Sequence, residues 1–449
     1  MKKLFLIGFA VVTLNSFAQT KEGTVYSFSL QQAIDYAMQN QNNVKNAILD
    51  GELAQEKVHE TRSFGLPQIN SSFDTKDFLE IPTSVIPHAG GQFGGAPGSD
   101  AVLKFGSQYQ ASAGFDASQM IFNAQYFLGI KASKVYLDIS SKSVQRTKIE
   151  TSVIVSKAYY TVLVNEGRMK LLDANITRFK KILDDTKALL DNGFVEKIDY
   201  DRLTVTYNNL LVEQEKIKRL LDLGIYLLKY QMGMDINTSL TLTDKLEDVK
   251  LLDATNLASD KFDYTKRVEY NLFEGQFQMA KLDLKNQHFA YFPNAYAYGA
   301  LSENAYRSTY SIFSTGYGWY PTALIGATVK MPIFTGLQRH AKTQQAKITI
   351  QKAENNLDFI KKSIDLELAA ASTGLTNASV SLENQKKNIV IAEDVARVAK
   401  IKYEQGVGSN LEMITAEAAL KEAQTNYFNA LYDAIIAKID FDKANGNLK

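Results

Sequence analysis

No cysteine occurs among the 449 residues. That excludes a disulfide framework, a thiol nucleophile, a Cys-ligated metal and a lipid-modified cysteine behind a leader. Packing must hold the chain together. No stretch beyond the N-terminus reaches the ~18 consecutive apolar residues of a membrane-spanning helix, so any membrane contact has to be made by strands. Neither charge dominates, with 50 Lys+Arg against 49 Asp+Glu, so the total points neither to nucleic acid nor to strong attraction by anionic lipid. The only histidines, His59, His88, His288 and His340, are scattered, and none stands in an HExxH or similar ligand spacing. There is no GxSxG motif and no phosphate-binding glycine loop. Acid pairs such as Asp184-Asp185 read as solvated helix face. No catalytic residue, metal site or cofactor is expected.

What is present begins with an address. Lys2 and Lys3 precede an apolar run from Leu4 to Leu14, and Ser16-Phe17-Ala18 sets small residues at the two positions a signal peptidase reads. Residues 1–18 are expected to be a signal peptide cleaved after Ala18, and the protein to be exported. With 45% hydrophobic and 22% charged residues, the remainder has the balance of a folded protein.

The chain is also duplicated. Leu66-Pro67-Gln68-Ile69-Asn70 resembles Phe292-Pro293-Asn294-Ala295-Tyr296, and QMIFNA, with Phe122, resembles MPIFTG, with Pro332, Phe334 and Gly336. Asn192-Gly193-Phe194-Val195 likewise matches Gln405-Gly406-Val407-Gly408. The halves span 19–235 and 262–449, joined by a segment at 236–261. Each is expected to run helix, strand, loop, strand, very long helix, glycine turn, helix. That places β-hairpins at 66–122 and 293–334, long helices at 125–191 and 337–405, tips at 191–199 and 405–412, and return helices at 199–232 and 412–440.

The strands alternate with a period of two. Gln68, Asn70, Ser72, Asp74 and Lys76 share one face, while Ile69, Ser71, Phe73 and Thr75 share the other. The run from Gln108 to Ser118 repeats the pattern, and Ala323, Ile325, Ala327 and Val329 continue it more weakly in the second half. Each run has the roughly nine to eleven residues that a tilted strand needs to cross hydrocarbon. The first hairpin tip, Ile81 to Gly98, is rich in Pro and Gly and reads as a flexible surface loop. The second carries Tyr306, Tyr310, Tyr317, Trp319 and Tyr320, a candidate interfacial girdle. Four strands cannot close a barrel, and an open edge cannot sit in lipid. Two chains would give eight strands and a bore filled by side chains, whereas three would give twelve and room for water, which the polar face favours.

The helical stretches contain no proline and would each run on the order of 100 Å at 1.5 Å per residue. Apolar residues recur at spacings of three and four, as in Ile149, Val153, Ser156, Tyr160 and Leu163, with phase slips near Gly167 and after Ile364. Both tips place glycine where a helix C-cap needs positive φ.

In this order the motifs IFNAQ, MPIFTG, Leu-Pro-Gln, NGFVEKID and YEQGVGSNLEM resemble those of the TolC-like outer-membrane efflux proteins, over essentially the whole mature chain. The resemblance implies a mainly α fold with β, in which four transmembrane β-strands per chain complete a trimeric 12-stranded barrel. That barrel continues into a long periplasmic α-helical coiled-coil barrel. It further implies a homotrimer in the Gram-negative outer membrane, a passive exit duct for a tripartite efflux or type I secretion system. Its helical tips, Gly193, Phe194, Val195, Gly406, Val407 and Gly408, would dock a periplasmic adaptor that links to an inner-membrane pump of the RND or ABC type. Asp199 and Tyr403 occupy positions that close the family's periplasmic end, and Glu412 falls where some members carry an inward acid. Gly408 stands where some members have an arginine. Residues 236–261 and those after about 440 would form a small equatorial belt. The alternative class is an exported coiled-coil structural or adhesion protein with a soluble β cap.

Overall fold

The structure, a computed structural model, describes residues 26–246 and 262–448, apart from 313, 315 and 317. The signal peptide at 1–18 and the part of the joining segment from 247 to 261 lie outside the described residues. In the first half β1 (Tyr26–Phe28), α1 (Leu30–Asn40) and α2 (Asn42–Ser63) lead to β2 (Gln68–Asp77), β3 (Thr83–Ile86), β4 (Ala101–Lys104) and β5 (Tyr109–Phe122). Helices α3 (Ala124–Asp191) and α4 (Lys197–Met232) and strand β6 (Leu240–Leu242) follow. The second half has α5 (Val268–Phe289), β7 (Asn294–Arg307), β8 (Tyr320–Lys330), α6 (Gln338–Glu404) and α7 (Asn410–Ala444). The fold is mainly helical, and α3 and α6 run unbroken for 68 and 67 residues.

Three local expectations need correction. The opening helix is two helices, because Gln41 turns extended (ψ 128°) and its side chain then caps α2, accepting from Val44 N–H at 2.9 Å. The Gly-rich stretch of the first tip is not wholly loop, since β3 and β4 pair antiparallel from Thr83–Lys104 to Ile86–Ala101. Finally, α7 does not stop near 440. It continues to a fully buried Ala444 and ends where Gly446 takes φ 70°.

The chain forms two compact units, each drawing on both halves. One unit comprises 46–147 and 261–367 and carries the strands. Its sheet is antiparallel in the order β2-β5-β7-β8, leaving β2 and β8 as edges. The halves meet at β5–β7, paired from Tyr109–Arg307 to Phe122–Ala295. Between Met120 and Phe122 the register shifts, so Ile121 is an extra residue that bends β5 just before α3 begins.

The second junction turns by other means. β8 ends at Lys330, Pro332 follows where no ladder donor is needed, and Gly336 (φ 58°) and Leu337 (φ 66°) both take left-handed conformations before α6. Phe122 is therefore a paired strand residue, while Phe334 lies in coil and is 80% exposed. The junctions match in sequence but not in backbone.

The other unit comprises described residues of 1–45, 148–260 and 368–449. Its first core gathers Val155, Tyr159, Val162, Leu228 and Met232 against Ala33 and Ala37 of α1. The Tyr159 hydroxyl donates to Phe28 O at 3.1 Å, tying in the parallel pair β1–β6. Ser29 starts α1 with a reciprocal capping box to Gln32, and Asp244 Oδ2 accepts from Leu30 N–H at 2.8 Å. A second core nearer the tips gathers Phe179, Ile182, Leu203, Leu210 and Met413.

Candidate functional site

Opposed residues in an antiparallel ladder share a face, so the register sorts the sheet without further assumption. One face carries Ile69, Phe73, Phe115, Leu301, Ile325 and Val329. All are exposed, Ile325 at 91%. The other carries Asn70, Asp74, Ser112, Asp116, Asn304 and Thr322. Its polar groups bond across strands, Asn70 Nδ2 to Asp116 Oδ2 at 3.1 Å and Asn304 Nδ2 to Thr322 Oγ1 at 3.0 Å. One face thus suits hydrocarbon and the other water.

The aromatic residues at the second tip divide between those faces. Tyr306 pairs with Gln110 and Tyr320 with Asn304, which puts both on the polar side, so they are not part of a lipid-facing girdle. Trp319 packs with Ala111, Ala305 and Ile312 on the apolar side, and Tyr310 meets Tyr109 edge-on at 5.5 Å. Tyr317 is outside the described residues.

The two helical tips share one backbone solution. Gly193 (φ 75°) and Gly406 (φ 72°) take the left-handed conformation. Phe194 N–H reaches back to Leu189 O at 2.9 Å and Val407 N–H to Lys402 O at 3.0 Å, which closes each helix as a Schellman motif. Phe194 and Val407 are left 77% and 79% exposed, while Val195 is half-buried. Gly408 has a separate reason to be glycine. A Cβ there would lie 2.8 Å from Lys402 Cβ and 3.1 Å from Tyr403 N, so an arginine cannot stand in this tip without displacing it.

The gate candidates are close in sequence position to the tips but do not bond to one another. The Tyr403 hydroxyl lies 3.4 Å from Thr186 Oγ1, and its ring joins the second core. The Asp199 carboxylate lies 3.7 Å from Arg202 on its own helix. Glu412 sits in the first turn of α7, where Ser409 caps the helix, and meets Lys402 Nζ at 3.3 Å. The tips are joined instead by Asn410, a residue that sequence reasoning missed. It is 5% exposed and donates from Nδ2 to Asp199 O at 3.0 Å. The only signal for it was a polar residue at the start of a helix, which usually means no more than capping.

Above the tips, the helix seams within each half are apolar, as in Leu203 and Leu210 on Phe179 and Ile182, or Ala396 and Ala399 on Ala416 and Leu420. Between halves, α3 and α7 meet through apolar contacts, such as Val164 with Leu431 and Ile435, and also through buried polar groups. Arg178 Nη2 contacts Glu417 Oε2 at 2.7 Å, and Asn175 Nδ2 donates to Gln424 Oε1 at 2.8 Å. Glu417 is only 2% exposed, and burial holds its carboxyl above the ordinary range although Arg178 and Lys400 pull the other way.

An amphipathic antiparallel sheet with two open edges, joined to long paired helices, is the architecture of outer-membrane channels that are mainly helical. Comparison with known proteins agrees. The family model described as "Outer membrane efflux protein" matches residues 294–447. The probable efflux pump outer membrane protein TtgC of Pseudomonas putida is 23% identical over 348 residues, 76% of this chain and 69% of that protein. Outer membrane protein TolC of Vibrio cholerae is 19% identical over 460 residues, covering 100% of this chain and 96% of TolC. The solved structure of VceC from Vibrio cholerae shares the fold with a TM-score of 0.69 at 14% identity, covering 93% of this chain and 96% of that one. The chain is thus similar to the TolC-like outer-membrane efflux proteins, with the family model confined to residues 294–447 and the likeness to TolC running along its whole length.

Proposed function

We propose that three copies of this chain form the exit duct of a tripartite efflux or type I secretion system, conducting substrates passively from a periplasmic adaptor and an inner-membrane pump of RND or ABC type. The observation that carries this is the sheet with an exposed apolar face and unpaired edges at β2 and β8. Each unpaired backbone group would cost several kcal/mol in hydrocarbon, so the edges must pair, and a sheet of four strands must find them in other chains. Twelve strands leave the polar face around a water-filled bore, as eight would not. The exposed Phe194 and Val407 at the tips offer the adaptor its apolar footing.

In this reading Asp199, Tyr403 and Glu412 surround the periplasmic constriction. Lys402 partly neutralises Glu412, so the carboxylate ring favours cations modestly. The deciding measurement is gel mobility of the membrane-fraction protein with and without boiling. A trimeric barrel runs compactly until heated, whereas recovery in the soluble fraction sinks the proposal. For the gate, Glu412→Gln should reduce cation selectivity in planar bilayers. Unchanged selectivity would remove that carboxylate from the constriction.

A further inference from the structure

The polar face of the sheet is chemically divided between the two halves of the chain. On β2 and β5 it carries two carboxylates, Asp74 and Asp116, and among the described residues no aromatic ring. On β7 and β8 it carries no carboxylate among the described residues but four tyrosines, Tyr296, Tyr298, Tyr306 and Tyr320. The division runs along the β5–β7 ladder. Both of these are inner strands, so their neighbours are set within a single chain.

At one point along that ladder a ring and a carboxylate come together. Asp116 opposes Ala300 and Ser118 opposes Tyr298, so Asp116 and Tyr298 are diagonal neighbours at roughly 7–8 Å. Ala300 stands beside both, and its single methyl leaves the gap between them open. On its other side Tyr298 opposes Gly326, where a Cβ would lie 2.7 Å from Tyr298 Cζ and from its hydroxyl oxygen. The ring therefore lies over bare backbone, with the residue still 43% exposed. Asp116 is exposed too, and Asn70 Nδ2 donates to one of its oxygens at 3.1 Å, which steadies the carboxylate and leaves the other oxygen to a ligand.

No cation of this face competes for that carboxylate at close range. Lys76 stands six residues along β2 from Asn70, and Lys330 four along β8 from Gly326, which is ~20 and ~14 Å at strand spacing. The other ring pair lacks the acid. Tyr306 and Tyr320 meet at 6.3 Å, but Tyr306 has Gln110 and Ser112 beside it on β5.

A tyrosine face attracts both flat rings and cations, and a carboxylate beside it reinforces the second preference. We infer that Tyr298 and Asp116 form a binding site, one per chain in the wall of the bore, for a flat aromatic cation in transit. The solute's ring lies against Tyr298 and its charge against Asp116. The site depends on the trimeric duct proposed above, which turns this face to water and gives the solute access.

Ethidium is a suitable probe, followed by fluorescence anisotropy on the full-length trimer in lipid nanodiscs. Wild type should bind it saturably, one per chain. N-methylquinolinium should displace it, whereas tetraethylammonium, which has the charge without the flat ring, should not. Tyr298→Ser and Asp116→Asn should each weaken binding roughly tenfold, while Tyr298→Phe and Tyr306→Ser should bind as wild type does. Absence of saturable binding to wild type, displacement by tetraethylammonium, or binding undiminished in either Tyr298→Ser or Asp116→Asn overturns the site. Each sample is also run on gels without boiling. A compact trimer that fails to bind overturns the site alone, and a chain recovered only as monomer overturns the trimeric duct on which it stands.

Discussion

Replacing Arg178 with methionine should loosen the seam between the two halves and reveal the state of Glu417. The guanidinium lies 2.7 Å from a carboxylate that is 2% exposed. Removing one partner of a buried pair costs about 3–5 kcal/mol, because the other charge is left without compensation. Arg178 is one-third exposed and Lys400 also attracts Glu417, so the lower end, about 3 kcal/mol, is expected. Hydrogen exchange of the full-length protein should then accelerate roughly a hundredfold at backbone amides near 175–182 and 413–424, one decade per ~1.4 kcal/mol. The pH dependence has a definite sign. A carboxyl whose folded pKa is raised favours the native state as pH falls, and loss of Arg178 raises it further. The penalty is therefore full at neutral pH and fades as pH falls through that raised value towards the ordinary carboxylate range. Glu417→Gln, which carries no buried charge, should be far milder, and R178M/E417L close to neutral. Unchanged exchange in R178M, or a penalty equally large in acid, would refute the argument.

Other expectations follow from the sheet and the tips. Ile325→Lys puts a charge on the apolar face at about 2–4 kcal/mol if it sits near mid-membrane, so protein in the outer-membrane fraction should fall, whereas Thr322→Lys on the polar face should assemble normally. Gly408→Ala forces a Cβ against Lys402 and Tyr403, about 1–3 kcal/mol of overpacking, and should speed exchange within the second tip alone. Asn410→Ala removes the tie to Asp199, worth about 1 kcal/mol, and should raise basal conductance in planar bilayers. If conductance is unchanged, the tie between the tips plays no part in closure.

Much of the architecture was legible because its causes are local. Period-two alternation, apolar spacing of three and four, and glycines at helix ends are written residue by residue, and they predicted β2, β5, α3, α6 and both tips within a few positions. Matching motifs misled where one sequence pattern hid two conformations. QMIFNA bends through a bulge at Ile121, and MPIFTG through Gly336 and Leu337 at positive φ. The tyrosines of the second tip could be counted but not assigned to a face, because a face depends on which residue each opposes across the ladder. Nor could the α3–α7 seam be foreseen. Arg178 and Glu417 are far apart in the chain, and each alone looks like solvated helix surface.

The sequence by itself determined the class of elements and their duplication, and beyond the N-terminus it holds no apolar run long enough for a membrane-spanning helix. These depend on periodicity and composition, which neighbouring residues impose on one another. Only the tertiary structure decided the strand order that leaves β2 and β8 open, the tie from Asn410 to Asp199, and the burial of a charged pair between halves. Each of those depends on residues distant in the chain meeting at a few ångströms, a condition that no local pattern encodes.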